Sequence, residues 1–132
     1  VMTKIYRDKA IDFNQELSES AHFYGDEADL MEVLGNLIDN ACKACGGQIK
    51  LSAESDKNTK TLILTVEDDG PGIKAEHREQ LLIRGQRLDT YTDGHGVGMA
   101  IVNDLVHSYA GQLEILDSPL GGAKFVVHFE QP

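Results

Sequence analysis

The chain has 132 residues, with 12 Lys and Arg against 22 Asp and Glu, a formal charge of −10. Its length suits one domain over residues 1–132 with a core of its own, and 41% apolar with 26% charged residues is a globular composition. Such acidity excludes a general nucleic-acid binder and a polybasic membrane-surface module, because both need a basic face. No window approaches the roughly 20 apolar residues of a membrane helix. Val1-Met2-Thr3-Lys4 shows no apolar signal-peptide core, and a Val at the first position suggests a piece of a longer protein.

Residues 1–9 read as a short helix or the tail of one. Ile11 to Leu17 alternates apolar and polar residues, the pattern of a strand with one buried face. His22-Phe23-Tyr24 reads as a brief extended piece. Asp26 has the character of an N-cap, with Glu27 and Asp29 in the first turn. Leu30, Val33, Leu34, Leu37, Ile38, Ala41 and Ala44 then form one helical stripe, ended by Gly46-Gly47. Ile49, Leu51 and Ala53 alternate in a strand, Asp56-Lys57-Asn58 turns, and Leu62 to Val66 is an apolar strand suited to the middle of a sheet. Gly70-Pro71-Gly72 is a turn, 75–82 a short helix, and Arg84 to Gly96 a long polar loop. A helix is expected from Val97 to about Tyr109, capped by Gly111. Two strands close the chain at Leu113 to Ile115 and Phe125 to Phe129, around the turn 118–122. Neighbouring strand pairs favour an α+β, two-layer sandwich, with a mixed, mostly antiparallel sheet of about five strands and about three helices on one face.

Four constellations are candidates for chemistry. Glu32, Asn36, Asn40 and Lys43 share a helix face opposite the apolar stripe. Asn is a poor interior helix former. The face is either a solvated surface or a pair of neutral oxygen ligands for a hard cation, with an ammonium nearby for phosphate. Glu67-Asp68-Asp69-Gly70-Pro71-Gly72-Ile73 brings a strand and its carboxylates into a glycine turn. That is ordinary turn composition, or a place where a flat ligand meets backbone and gives an exocyclic amine to a carboxylate. Gly94-His95-Gly96-Val97-Gly98 opens a helix, where backbone N–H groups suit an anion, but it matches neither the dinucleotide fingerprint nor Walker A. Leu120-Gly121-Gly122-Ala123 taken alone is a hairpin turn. Cys42-Lys43-Ala44-Cys45 is read as two structural thiols in preference to a redox pair or half a zinc site, since no second Cys pair exists.

In this order the four stretches resemble the N, G1, G2 and G3 boxes of the histidine-kinase catalytic domain, within the gyrase/Hsp90/histidine-kinase/MutL ATP-binding family. The resemblance runs from about Ile11 to Phe129. Glu67 to Ile73, Arg84-Gly85-Gln86-Arg87 with Asp89-Thr90, Gly96-Val97-Gly98 and Leu120 to Ala123 are most similar to PhoQ-like kinases. The resemblance implies the Bergerat ATP-binding fold, with ATP and Mg²⁺ as cofactors. It implies Asp68 as the adenine-binding carboxylate, Gly70, Gly72 and Ile73 beside the base, and Asn36 and Asn40 on the metal. Lys43 would meet phosphate. Arg84 and Arg87 would lie in an ATP lid, and Gly94, His95, Gly96, Val97 and Gly98 would form its phosphate-facing end. Asn36, Lys43 and Arg87 are the residues implied in catalysis.

His95 stands where PhoQ-like chains carry Gln, and Thr92 where they carry Arg. Hydrolytic relatives place a Glu where this chain has Asn36, and an amide is a poor general base, so transfer to a protein is expected over hydrolysis. None of His22, His77, His95, His107 or His128 has the family's acceptor context. The implied partners are therefore a separate dimerisation and phosphoacceptor domain of the same kinase and a response regulator, with no nucleic acid. The fragment is expected to be monomeric, the full protein homodimeric, and the domain cytoplasmic in an inner-membrane sensor kinase. A serine-directed kinase of the anti-sigma type, or a degenerate nucleotide- or partner-binding module, are the alternatives.

Overall fold

The computed structural model describes residues 11–19, 21–23, 25–44, 46–56, 58, 61–82 and 95–130. In chain order the elements are β1 (Asp12–Leu17), α1 (Glu27–Ala44), β2 (Gln48–Ser55), β3 (Leu62–Asp68), α2 (Ala75–Leu82), α3 (His95–Ser108), β4 (Gln112–Asp117) and β5 (Ala123–Phe129). The strands form one sheet in the order β1-β2-β3-β5-β4. β1 runs parallel to β2, and every other pairing is antiparallel. This is the mixed, mostly antiparallel α+β sandwich expected from the sequence.

Helices α1 and α3 cover one face of the sheet. Val33, Leu37 and Ala41 of α1 and Met99, Val102 and Val106 of α3 are buried against Ile49, Leu64, Val66, Ile115, Phe125 and Val127. A buried aliphatic side chain stabilises by roughly 1.5–3 kcal/mol, so this layer dominates the stability of the domain. Central β3 is buried on both faces, with Thr65 and Glu67 on the side away from the helices.

Asp26 opens α1 as expected: its Oδ1 accepts from the Ala28 N–H at 2.8 Å. The Tyr109 hydroxyl accepts from the Asp26 N–H at 3.1 Å and donates to Asp29 Oδ2 at 2.6 Å, so the end of α3 ties to the start of α1. The Asp29 carboxylate holds the Tyr109 phenol above its usual range, against the opposing Asp26 N–H. Phe23 forms no sheet ladder. Its ring packs between Tyr109 and Phe129, with centroids 5.2 and 5.0 Å away.

Both ends of α3 differ from the sequence expectation. Helix α3 begins at His95, two residues before Val97, because glycines at its start weakened the apolar signal. Its left-handed closing residue is Ala110 (φ 56°), not Gly111. Gly111 is needed there for space: a Cβ on it would lie 2.5 Å from the His128 carbonyl oxygen. Among the described residues, no helix is long and apolar enough to cross a membrane.

Candidate functional site

Asp68 is the last residue of β3 and is 2% exposed. A buried carboxylate is costly unless hydrogen-bonded. Its Oδ1 accepts from the Gly70 N–H at 2.8 Å and the Ala123 N–H at 3.4 Å, and its carbonyl accepts from the Gly122 N–H at 3.1 Å. Two glycines make this possible. A Cβ on Gly70 would lie 2.3 Å from the Ala44 carbonyl oxygen, and one on Gly122 would lie 2.2 Å from Asp68 Oδ1. Gly72 has φ +77°, a conformation glycine adopts readily, and packs beside Gly122. The second and fourth constellations of the sequence thus meet at one carboxylate. Ile73 packs on the rim of the core.

Asn36 and Asn40 are brought together with Gly98. The Asn36 Nδ2 donates back to the Glu32 carbonyl at 2.7 Å, which turns Oδ1 away from its own helix. A Cβ on Gly98 would lie 3.1 Å from Asn36 Oδ1 and 3.7 Å from Asn40 Oδ1. Two hard amide oxygens therefore face the first turn of α3 at a position where a side chain in place of Gly98 would crowd Asn36. This donor set fits Mg²⁺, which takes few protein oxygens and completes its shell with water and phosphate. Among the described residues no cluster of three or more His, Cys, Asp or Glu offers a competing metal site. Because Gly70 abuts Ala44, both halves of the site meet along the C-terminal part of α1. Lys43 lies there too, paired with Asp39 at 3.0 Å.

His95, Gly96 and Val97 fall in the first turn of α3, where backbone N–H groups are not yet used within the helix. Arg84, Arg87, Thr92 and Gly94 lie outside the described residues, as does Cys45. Cys42 is buried in the core beside Ala41.

Three supports were not read from the sequence. Asp69 Oδ1 accepts from the N–H groups of Gly46, Gly47 and Gln48, at 2.7, 3.1 and 3.1 Å, closing the turn after α1. The Gln48 N–H foremost, helped by those of Gly47 and Gly46, holds the Asp69 carboxyl below its usual range, against partial desolvation. Glu67, on the opposite face from Asp68, accepts from the Ser118 hydroxyl at 3.0 Å, and that oxygen accepts from the Leu120 N–H. Arg78 of α2 donates to the Ile73 carbonyl at 2.6 Å and pairs with Asp117. The one available signal was a run of three acidic residues entering a glycine turn, each of which has a different task.

A family model described as histidine kinase-, DNA gyrase B-, and HSP90-like ATPase matches residues 25–132. The chain belongs to this ATPase family. Family relatives include the sensor protein PhoQ of Escherichia coli K12, 39% identical over 97% of the chain. The virulence sensor histidine kinase PhoQ of Salmonella typhimurium is 41% identical over the same share. The chain spans about a quarter of these relatives, 26% of each. Among solved family structures, the nucleotide-free catalytic domain of histidine kinase ThkA superposes with a TM-score of 0.84 at 26% identity, covering 98% of this chain and 84% of that one. Full-length ShkA in complex with AMPPNP gives 0.81 at 26% identity, covering 99% of this chain and 28% of that one.

Proposed function

We propose that this chain is the catalytic domain of a sensor histidine kinase: it binds Mg-ATP and donates the γ-phosphoryl group to a histidine on a separate dimerisation domain. The observation that carries this reading is the pairing of a buried, glycine-enclosed carboxylate with two amide oxygens open to a helix start, in a member of this ATPase family. The AMPPNP complex of ShkA and the sensor-kinase relatives support it. The acceptor domain, a response regulator, a homodimeric full protein and a cytoplasmic place in an inner-membrane kinase belong to the same proposal.

Asp68 accepts the adenine amino group, while Gly70, Gly72 and Ile73 leave room for the base. Asn36 and Asn40 would hold the cation, which would supply charge neutralisation for the phosphates. Lys43, and Arg84 and Arg87 from outside the described residues, supply positive charge. The first-turn N–H groups of His95, Gly96, Val97 and Gly98 would face phosphate oxygens, and Gly94, outside the described residues, belongs to the same proposed stretch. The P–O bond to ADP breaks as the acceptor imidazole nitrogen bonds phosphorus, so catalysis is positioning and charge neutralisation. Asn36 has no carboxylate with which to activate water.

Titration of Mg-ATP into Asp68→Ala and Asn40→Ala, with folding checked by circular dichroism, tests the site. Both variants should stay folded and lose binding; an unchanged isotherm for either overturns the assignment. Supplied with a dimerisation domain, the chain should label its histidine. Steady ATP hydrolysis without an acceptor would contradict the role given to Asn36.

A further inference from the structure

We infer that Arg78 is a positioning residue for base recognition, a step that rests on the ATP-binding reading above. Asp68 can read an adenine amino group only if the turn after it and the β4–β5 hairpin stay a fixed distance apart, because both supply its enclosing backbone. The turn contributes Gly70 and Gly72, and the hairpin contributes Gly122 and Ala123. Arg78 reaches both. Its Nε–H donates to the Ile73 carbonyl, one residue past Gly72, at 2.6 Å. Nη1 donates to the Ile115 carbonyl at 3.5 Å, and Nη2 pairs with Asp117, the last residue of β4 before the hairpin.

The rigid planar fork of Arg makes these contacts in fixed relative directions, which a Lys ammonium cannot do. The Arg78 side chain is 21% exposed, while Asp117 is 84% exposed. The screened charge pair at the rim is therefore the weaker half of the bracket, and the bond to the Ile73 carbonyl is the stronger. Among the described residues, the hydrogen bonds and ion pair of Arg78 go to Ile73, Ile115 and Asp117, none of them assigned to phosphate or metal. Its effect should fall on discrimination at the base and leave the triphosphate end alone.

The test compares Mg-ATP with Mg-ITP, whose hypoxanthine lacks the amino group that Asp68 would accept from. Dissociation constants are measured for the natural chain, Arg78→Ala and Arg78→Lys, alongside melting temperatures. The natural chain should prefer ATP by roughly tenfold or more, since a site built to pair an N–H rejects an analogue without it. In Arg78→Ala that preference should fall to about threefold or less, through loss of ATP affinity more than of ITP affinity. Arg78→Lys keeps the cation beside Asp117 and guards against a folding defect. It should melt near the natural chain and still lose the preference. A folded Arg78→Lys that keeps the full preference overturns the inference. A natural chain that binds neither nucleotide overturns the ATP-binding reading first, and this inference with it.

Discussion

Gly122 sits against Asp68 so closely that its N–H donates to the Asp68 carbonyl at 3.1 Å, while a methyl group in place of its hydrogen would lie 2.2 Å from Asp68 Oδ1. Backbone on both sides prevents an easy shift. Gly122→Ala should cost about 1–3 kcal/mol of stability, as overpacking does, and should weaken ATP binding tenfold or more. Gly121→Ala is the control: φ is +111° there, but no atom lies within 4 Å of the added carbon. It should lower the melting temperature through backbone strain while changing affinity by less than about threefold. Melting curves and nucleotide titrations on both variants check the contrast.

Gly98 separates stability from function in the opposite sense. Alanine is the better helix former by about 1 kcal/mol, so Gly98→Ala should leave the fold unchanged or slightly more stable. Its methyl would stand 3.1 Å from Asn36 Oδ1, inside the gap proposed for cation and phosphate. Mg-ATP affinity should fall at least about tenfold, the range expected when a ligand-facing group is displaced. A variant both more stable and equally avid would place the triphosphate elsewhere.

Asp69 predicts a pH dependence. Its carboxyl is held below its ordinary value by the Gln48, Gly47 and Gly46 N–H groups, so the folded state binds this proton less readily than the unfolded chain. The stability it contributes is present in full above the unfolded value, about 3.9, and is lost as pH falls through the lower folded value. Asp69→Asn cannot titrate and should melt lower at neutral pH. The gap between the two melting temperatures should stay level down to about pH 5 and narrow below about pH 4. A gap that is level at every pH would contradict the assignment.

Lys43, proposed to meet phosphate, is paired with Asp39. The pair is 3.0 Å apart with each side chain about a third exposed, and such a pair contributes roughly 0–1 kcal/mol. Asp39→Asn should therefore change ATP affinity by less than about fivefold, whereas Lys43→Ala should lower it by more than that. Parallel titrations at low and moderate salt would show both effects.

Much of the architecture was legible because it depends on local periodicity. The Leu30 to Ala44 stripe specified α1, and the run from Leu62 to Val66 specified a central strand. The order of four stretches along the chain made Asn36, Asn40, Asp68 and Gly98 candidates, and the fold brings Asn36, Asn40 and Gly98 together. The parallel partner of β1 was not, because alternation at Ile11 to Leu17 gives a buried face but no neighbour. Nor were the bonds of Asp69, Arg78 and Tyr109, whose partners lie as far as 23, 39 and 83 residues away. A composition of Asp, Gly and Pro at 68–72 states that the chain turns. It does not state that one aspartate is buried against the β4–β5 hairpin and the next closes a helix end, because backbone direction at each carboxylate is set only by the completed sheet.

The first strand joins the sheet at the same rim as Asp68. The Asp12 N–H donates to the Gly47 carbonyl at 2.7 Å, the Gly47 N–H donates to Asp69 Oδ1 at 3.1 Å, and Asp69 is bonded to Asp68. Two hydrogen bonds and one peptide unit thus stand in series between the leading strand and the proposed base contact. A pull along the β1 axis loads its hydrogen bonds to β2 in shear, whereas a pull across the sheet opens them one at a time. An axial pull on the polypeptide ahead of Asp12 would therefore act on the backbone beside Asp68 through those two hydrogen bonds.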